Sequence, residues 1–290
     1  MHLLPFLRRL PSRHPLQLAF KYTSPLQQRN AFMTNIKRVE QTPSVQEWVA
    51  ALARSTASPQ EDAEQPVFFF DCDNTLYHPS ANIHKMMEEK ILDYFKKLGI
   101  PDGEAAVLME RYYIQHGLAI KGLIKNHKID PLDYDRHVDG SLPLQEVLKP
   151  DPALRLMLQR LHMKKWIFTN AGLAHAQRVL RLLNIDDLFD GITYCDYTRP
   201  GIPCKPETRF YLEAMQEAGV TDPKKCIFVD DSRVNIEAAM RLGWLTVHVL
   251  PGATLGRGGG PVGHFQIEDI KDLEDVLPEL WAGATMQQKR

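Results

Sequence analysis

The chain has 290 residues, of which 44% are hydrophobic and 24% are charged, and its net charge is −1. This composition is typical of a globular protein with a sizeable core, and the near-neutral charge gives no electrostatic reason to expect nucleic-acid binding. No apolar run approaches the roughly 20 residues that a membrane-spanning helix needs. We therefore expect neither nucleic acid nor a membrane among the partners.

The first forty residues differ in composition from the rest of the chain. Residues 1–39 contain no Asp or Glu but seven Lys and Arg residues, a pattern typical of a mitochondrial transit peptide. An extension without a targeting role is one alternative, and translation from Met33 is another. We predict that residues 1–43 form a disordered N-terminal extension outside the folded part.

The four cysteines are Cys72, Cys195, Cys204 and Cys226. They form no CxxC pair, and no histidine stands at the spacing of a zinc site. Buried or free thiols in a reducing compartment are therefore favoured over disulfides or a metal site. We expect a cytoplasmic protein, with a mitochondrial location as the alternative if residues 1–39 act as a transit peptide.

The folded part begins with a helix and one short strand. Residues 44–65 combine a helical pattern with a polar linker, and the apolar VFFF after Pro66 is typical of a buried strand. The next pattern is helical: IHKMMEEKILDYFKKLG places its apolar residues on one stripe, and residues 103–125 form a second helical stretch. We interpret residues 81–148 as an all-helical cap inserted between strands.

Strands and helices alternate after the cap. The strand patterns KKWIFTNAG, GITYCDY, KKCIFVDDS and WLTVHVL are separated by helical patterns of roughly 10 to 15 residues. Such alternation predicts an α/β fold with a Rossmann-like parallel sheet and right-handed crossovers. We assign this core to residues 44–80 and 149–290, with the glycine-rich residues 252–264 as a connecting loop. The C-terminal IEDIKDLEDVLPELW predicts one more strand or turn and a capping helix.

Polar residues follow the strand ends of this sheet or begin the next helix. They are Asp71, Asp73, Thr169, Asn170, Lys205, Asp230 and Asp231. If the sheet is parallel, these groups gather at one edge, where clustered carboxylates repel one another unless a cation lies among them. Hard oxygen ligands suit Mg²⁺, with Asp71 and Asp230 as direct ligands and Asp73 offering its backbone carbonyl. Asp231 and Asn235 would hold either the metal's surroundings or Lys205 in place.

This division of roles predicts phosphoryl transfer. Asp71 would attack phosphorus as the nucleophile and form an aspartyl-phosphate. Asp73 would protonate the leaving oxygen and then deprotonate the water that releases phosphate. Lys205, Thr169 and Asn170 would stabilise the charge on the phosphoryl oxygens.

The motifs FFFDCDNTLY, IFTNA, CKPE and IFVDDS resemble, in this order, the four signature motifs of the haloacid dehalogenase superfamily, over about residues 66–250. The residues to which the resemblance assigns roles are the nucleophile Asp71, the acid/base Asp73, the phosphate-binding Thr169 and Asn170, Lys205, and the metal ligand Asp230. Dehalogenase members have no carboxylate at the position of Asp73, because a halide leaving group needs no proton. The resemblance therefore implies a phosphatase or a phosphotransferase.

More narrowly, DCDNTLYHPS, YYIQHGLAIKGLI, HVDGSLPL and LFDGITYCDYTRPGIPCKPE resemble the eukaryotic pyrimidine 5′-nucleotidase branch. On that resemblance we expect Tyr113, His116 and Lys121 of the cap to bind substrate. The aromatic ring would stack on a base, and Lys or His would meet phosphate or carbonyl oxygens. The alternative is that Tyr112 and Leu118 pack the cap core and that Lys121 is solvated.

The function expected from the sequence is a Mg²⁺-dependent phosphomonoesterase that acts on pyrimidine nucleoside 5′-monophosphates such as UMP and CMP. One alternative is a phosphatase for another small metabolite, such as lysophosphatidic acid or a sugar phosphate. A non-catalytic regulatory protein is a third interpretation, against which the complete set of strand-end charges argues. The expected partner is a small-molecule phosphomonoester, and the sequence leaves the oligomeric state open.

Overall fold

A six-stranded parallel sheet organises the chain. The computed structural model describes residues 43–57, 64–251 and 262–282, so the predicted extension up to residue 42 and the glycine-rich residues 252–261 lie outside the described part. The strands are β1 (Val67–Phe70), β2 (Lys164–Phe168), β3 (Gly191–Thr193), β4 (Cys226–Asp230), β5 (Leu245–Val249) and β6 (Phe265–Ile267). Their order is β3-β2-β1-β4-β5-β6, and each neighbouring pair is parallel. The predicted α/β fold is thus confirmed.

The helices either flank this sheet or form the cap. They are α1 (Pro43–Ala57), α2 (Ile83–Lys97), α3 (Asp102–His116), α4 (Ala119–His127), α5 (Pro131–His137), α6 (Leu144–Val147), α7 (Pro152–Arg160), α8 (Leu173–Leu183), α9 (Thr208–Ala218), α10 (Arg233–Arg241) and α11 (Leu273–Val276). Helices α2 to α6, with one short 3₁₀ turn (Asp139–Ser141) between α5 and α6, make up the cap that interrupts the sheet between β1 and β2. Across the described ranges, no helix is both long and apolar enough to cross a membrane.

The apolar strand β1 is buried on both sides of the sheet. Phe68 and Phe70 belong to one hydrophobic cluster, whereas Val67 and Phe69 belong to a second cluster. Successive side chains of a strand point to opposite faces, so a strand covered on both faces needs a continuous apolar run. This packing fixes the position of the next residue, Asp71, whose N–H donates to the Val229 carbonyl at 2.9 Å.

A third hydrophobic cluster joins the cap to the loop that follows β3. Cap side chains such as Tyr112 and Leu123 pack in this cluster with Ile202 and Cys204 of that loop. Cys204 directly precedes Lys205 in the chain. The apolar core of the cap therefore reaches the residues that carry the chemistry.

The single helical stretch predicted for residues 103–125 is wrong, because the chain breaks between α3 and α4. Gly117 ends α3 with a φ of +78°, a left-handed conformation that glycine adopts without a steric penalty. Its N–H donates to the Tyr113 carbonyl at 2.8 Å. A Cβ at this position would lie 3.6 Å from both Cys204 Sγ and the Lys205 carbonyl, so the break lies against the site.

The strand predicted over GITYCDY is also longer than the observed β3, which ends at Thr193. β3 is an edge strand that pairs only with β2, and Thr193 lies opposite Phe168, the last residue of β2. The hydrogen-bonded ladder between β3 and β2 therefore ends at the last residue of β2. The chain then turns toward the strand ends, where the Cys195 N–H donates to the Ala171 carbonyl at 3.0 Å.

Candidate active site

Lys205 lies at the centre of the strand-end site. Its ammonium donates to Asp71 Oδ1 at 2.7 Å, to Asp230 Oδ2 at 2.6 Å and to the Phe168 carbonyl at 2.8 Å. Burial acts to lower the pKa of Lys205, but the charges of Asp230 and Asp71 outweigh it and raise the pKa. Lys205 therefore remains a cation and ties together residues at the ends of β1, β2 and β4.

Three carboxylates lie close enough to share one cation. One oxygen from each of Asp71, Asp230 and Asp231 lies within 4.8 Å of the others. Burial raises the pKa of Asp71 to about 7, with Lys205 opposing the shift and Asp230 adding to it. Burial and the charges of Asp230 and Asp71 also raise the pKa of Asp231 well above its usual range. One ammonium cannot balance three carboxylates, so this set of hard oxygen donors fits Mg²⁺.

Asp230 is held in place by groups that follow it in the chain. The Ser232 N–H donates to Asp230 Oδ1 at 2.7 Å. The Asn235 side-chain amide donates to both carboxylate oxygens at 3.1 Å. Asn235 therefore orients a predicted metal ligand from the first turn of α10, a role that supporting residues commonly have at metal sites.

The Asp73 side chain makes a separate set of contacts outside the three-carboxylate group. Its Oδ1 accepts a hydrogen bond from Tyr77 OH at 2.7 Å and lies 2.7 Å from His175 Nε2. Burial acts to raise the pKa of Asp73, but the charge and hydrogen bond of His175, together with the Tyr77 hydroxyl, outweigh it and lower the pKa. Burial acts to lower the pKa of His175, but the charge and hydrogen bond of Asp73 raise it to about 9. The contact with His175 therefore favours the ionised form of Asp73 in the free protein, so Asp73 must take up a proton before it can act as an acid.

The two polar residues after β2 have different surroundings. The Thr169 N–H donates to the Thr193 carbonyl at 3.0 Å, and the Thr169 hydroxyl oxygen accepts from the Ala171 N–H at 3.0 Å. The Asn170 side chain instead binds the main chain of Lys205, accepting from its N–H at 2.7 Å and donating to its carbonyl at 3.0 Å. Asn170 thus links the second motif to the third, in addition to the phosphate contact that the sequence predicts.

A second acidic pair lies beside His175. Asp139 is 3% exposed, and its Oδ2 accepts a hydrogen bond from Tyr197 OH at 2.9 Å. Burial raises the pKa of Asp139 to about 6, against the opposing effects of His175 and Tyr197. A Cβ on Gly172 would lie 3.4 Å from Asp135 Oδ1 and 3.8 Å from Asp139 Oδ2. The cap therefore brings two acids to the loop that follows β2.

Tyr113 and His116 lie near the end of α3 on the cap. Tyr113 is 59% exposed, yet partial desolvation of its hydroxyl and the charges of Asp231 and Asp230 raise its pKa. The negative charges of Asp231 and Asp230 therefore act on the Tyr113 hydroxyl. The His116 ring lies beside that of Tyr112, with 6.3 Å between centroids.

Lys121, the third cap residue predicted to bind substrate, contacts two residues of the core. Its ammonium forms an ion pair with Glu207 and donates to Cys204 Sγ at 3.4 Å. Its side chain is only 15% exposed, so the solvated alternative does not describe it. Lys121 connects α4 to the residues on either side of Lys205.

Four side chains that contact or face the site were not predicted from the sequence. They are Thr75, Tyr77, Asp139 and His175. Thr75 and Tyr77 stand four residues after Asp71 and Asp73, and Thr75 Oγ1 donates to Asp71 Oδ2 at 3.1 Å. His175 is adjacent to the apolar face of α8, beside the buried Ala176. A polar residue in such a position, just after a phosphate-binding motif, is a signal that would have found it.

A family model and a known protein both match the sequence of this chain. The family model "haloacid dehalogenase-like hydrolase" matches residues 66–243. "Phosphate metabolism protein 8" of Saccharomyces cerevisiae is 44% identical over an alignment of 197 residues that covers 64% of this chain. The match spans 61% of the length of that relative.

Solved structures share the fold at low sequence identity. A HAD phosphatase from Thermococcus onnurineus has a TM-score of 0.52 at 20% identity, covering 73% of this chain and 98% of its own. The HAD hydrolase YfnB from Bacillus subtilis has a TM-score of 0.51 at 15% identity, with 73% and 98% covered. The family match, which extends from the residue before β1 to the end of α10, includes all four polar motifs. The chain belongs to the haloacid dehalogenase-like hydrolase family.

Proposed function

We propose that this hydrolase is a Mg²⁺-dependent phosphomonoesterase that works through an aspartyl-phosphate on Asp71. The observation that carries the proposal is the second carboxylate, Asp73. Its Oδ1 holds two hydrogen bonds, whereas no hydrogen bond among the described residues reaches its Oδ2, and the side chain is 26% exposed. A carboxylate oxygen without such a partner is available for proton transfer to a leaving oxygen. A halide leaving group would not need this transfer.

The residues of the chain divide the reaction into two transfers. Asp71 forms a bond to phosphorus while the bond from phosphorus to the leaving oxygen breaks, and Asp73 protonates that oxygen. Asp73 then takes a proton from a water that attacks phosphorus, so that phosphate leaves and Asp71 is regenerated. Lys205 remains hydrogen-bonded beside Asp71 and offsets the charge that gathers on the phosphoryl oxygens.

Asp71, Asp230 and Asp231 would hold the Mg²⁺, with Asp73 contributing its backbone carbonyl. When bound, this ion would supply positive charge to the phosphoryl oxygens. Asn235 keeps the Asp230 carboxylate oriented, and Lys205 provides the remaining positive charge. The fit rests on the donor set, because carboxylate oxygens are the ligands that Mg²⁺ prefers.

We further propose pyrimidine nucleoside 5′-monophosphates as the substrates. The motif resemblance supports this choice, and so does the influence of the Asp231 and Asp230 charges on the Tyr113 hydroxyl, whose pKa they raise. A partly exposed aromatic ring beside the phosphate site offers a surface on which a base can stack. His116, one turn along α3, is the second candidate for contact with the nucleoside.

A substrate panel with phosphate release as the readout tests the proposal. It would compare UMP, CMP, a purine nucleotide, glucose 6-phosphate and lysophosphatidic acid at saturating Mg²⁺. We expect the highest kcat/KM with UMP and CMP. If those two are no better than the sugar phosphate or the lipid, the nucleotidase assignment is wrong, although the phosphatase assignment stands.

Asp71→Asn run in parallel tests the covalent chemistry. We expect turnover to be abolished while the free energy of unfolding holds or rises, because the neutral amide removes repulsion with Asp230. Residual activity near that of the wild type would exclude Asp71 as the nucleophile. Thr193→Val is the control that should keep its activity, because the Thr193 hydroxyl bonds Trp166 and Glu217 rather than a strand-end carboxylate.

A further inference from the structure

We propose that His175 is a positioning residue for Asp73, and that it directs the transferable proton to one carboxylate oxygen. This inference rests on the phosphomonoesterase chemistry proposed above, and it goes further by naming the group that prepares the acid/base. His175 lies in the first turn of α8, and Asp73 lies in the loop after β1. The two residues are 102 positions apart in the chain.

The hydrogen bonds on Asp73 are asymmetric. Tyr77 OH and His175 Nε2 both lie 2.7 Å from Oδ1, and the two donors occupy the lone pairs of that oxygen. A proton on Asp73 is therefore confined to Oδ2, the oxygen that meets no donor among the described residues. That oxygen belongs to a side chain with 26% of its surface exposed, so the proton is held on the carboxylate oxygen that neither Tyr77 nor His175 contacts.

His175 has no second hydrogen bond that would explain its burial. The residue is 1% exposed, and its Nδ1 is buried without a hydrogen-bond partner in the described part of the chain. A buried histidine that only supports the fold generally has both ring nitrogens satisfied, since an unmet polar atom is costly. The single strong contact of His175 is the one to Asp73.

The location of His175 in the first turn of α8 also indicates that Asp73 is its partner. Positive charge is unfavourable at the N-terminus of a helix, where the exposed N–H groups already create a positive field. Nearby negative charge must offset this, and Asp73 and Asp139 are the carboxylates whose charges act on His175 most strongly. Because α8 starts three residues after Asn170, the helix also ties the phosphate-binding loop to the acid/base.

The position of the proton on Asp73 matters in both transfers of the reaction. In the first, the bond between phosphorus and the leaving oxygen breaks, its electron pair stays on that oxygen, and the proton of Asp73 Oδ2 moves to it. In the second, water gives its proton back to Oδ2 as its oxygen bonds to phosphorus and the bond to Asp71 breaks. Without His175 the Asp73 carboxyl group can rotate, and its proton is no longer confined to one oxygen.

The test uses two variants that differ by one methylene group. His175→Gln can place an amide N–H where Nε2 lies, whereas His175→Asn cannot reach Asp73. Trp166→Phe is the control for stability, because it removes a buried hydrogen bond of 2.9 Å to the Thr193 hydroxyl, which donates to Glu217 rather than to a strand-end carboxylate. Each protein is assayed with p-nitrophenyl phosphate and with the alkyl phosphate that the substrate panel finds best.

We expect His175→Asn to lower kcat/KM for the alkyl phosphate by about 100-fold, the usual scale of acid–base catalysis. For p-nitrophenyl phosphate, whose leaving group needs little help from a proton, we expect a loss of less than about tenfold. Stopped-flow assays of this variant should also show a burst of p-nitrophenolate, because the slowed attack of water lets the phosphoenzyme accumulate. His175→Gln should recover most of the alkyl phosphate activity, and Trp166→Phe should leave the ratio of the two substrates unchanged.

Equal losses on the two substrates, or His175→Gln behaving like His175→Asn, would overturn the positioning role. Full activity of His175→Asn would overturn it as well. A wild type that hydrolyses neither substrate would instead refute the phosphomonoesterase proposal, and the inference would fall with it. The wild-type assay therefore separates failure of the function from failure of the inference.

Discussion

The Lys121 ammonium of the cap forms an ion pair with Glu207, two residues after Lys205 in the core. The side chains are 15% and 32% exposed, so the pair is shielded more than an ordinary surface pair. Lys121 also donates to Cys204 Sγ at 3.4 Å. One cation of the cap thus contacts residues on both sides of Lys205, and any displacement of α4 would break these contacts.

We predict that Lys121→Met and Glu207→Gln are energetically coupled. Each single variant should lower the free energy of unfolding by about 1 kcal/mol, and the double variant should lose less than the sum. Both singles should raise KM to a similar extent, because either one releases the cap from the Lys205 loop. Urea denaturation and steady-state kinetics measure the two effects.

Lys125→Met is the matched control for this cycle, since Lys125 lies on the same helix and is exposed. It should change neither KM nor stability by a measurable amount. Additive stability effects, with KM raised by Lys121→Met alone, would contradict the coupling. Such a result would instead favour the direct contact with substrate that the sequence predicts for Lys121.

We predict that Mg²⁺ stabilises the protein through the carboxylates of Asp71, Asp230 and Asp231. At about 100 times its dissociation constant, the ion should add about 2.7 kcal/mol, which for a chain of this size is roughly 5–10 °C in Tm. Asp231→Asn should shrink the shift at a fixed concentration. Asp73→Asn should keep it, because the Asp73 side chain lies outside the group of three.

Thermal denaturation in EDTA and in a MgCl₂ series measures these shifts. An unchanged Tm in the wild type would remove the metal from the proposal. A shift lost in Asp73→Asn would show that the side chain of this residue, and not only its backbone, belongs to the metal site.

We predict that Lys205→Met destabilises the protein strongly in the absence of divalent ions. Lys205 is 1% exposed and holds two buried carboxylates. Removing one member of a buried ionic network costs about 3–5 kcal/mol, because the charges left behind have no partner. Asp71→Asn introduced into the same protein should recover part of the loss.

Chemical denaturation in EDTA measures this effect, with Lys164→Met as the control for loss of a lysine. Lys164 donates to the Ala218 carbonyl from the start of β2, far from the strand ends. Equal stability of wild type and Lys205→Met would mean that the Lys205 ammonium does not offset the charge of the buried carboxylates.

The parallel sheet and the positions of the charged residues could be predicted because both are local in the sequence. VFFF is apolar on every residue, which only a strand buried on both faces requires, and the polar residue that ends it must lie at the sheet edge. In the same way, the ends of the apolar runs of β2 and β4 predicted that Asn170 and Asp230 lie at this edge. The positions of these residues follow from where their strands end.

Contacts made between distant segments could not be predicted in this way. The hydrogen bond of His175 to Asp73 depends on how α8 packs beside the first loop, and the pairing of Lys121 with Glu207 depends on how the cap sits on the core. The break at Gly117 likewise reflects the approach of α3 to the Lys205 loop. Each depends on tertiary packing, which outweighs the local helical pattern.

We predict that Asp139→Asn stabilises the protein increasingly as the pH rises. The pKa of this buried carboxyl is about 6 in the folded protein against a usual value of 3.8. Between these values the folded state binds more protons than the unfolded state, so the wild type loses stability as the pH rises. The loss is complete above the folded pKa and amounts to roughly 3 kcal/mol.

The amide of Asp139→Asn can still accept the hydrogen bond from Tyr197 but carries no charge to desolvate. Its free energy of unfolding should therefore match or fall below that of the wild type near pH 4 and exceed it by about 2–3 kcal/mol at pH 7. Urea denaturation across this range measures the difference. Tyr197→Phe is the control: it loses the hydrogen bond but keeps the carboxyl group, so its stability should still fall with rising pH. A difference between Asp139→Asn and wild type that stays constant with pH would show that Asp139 is ionised in the folded protein throughout, with His175 offsetting the cost of its burial.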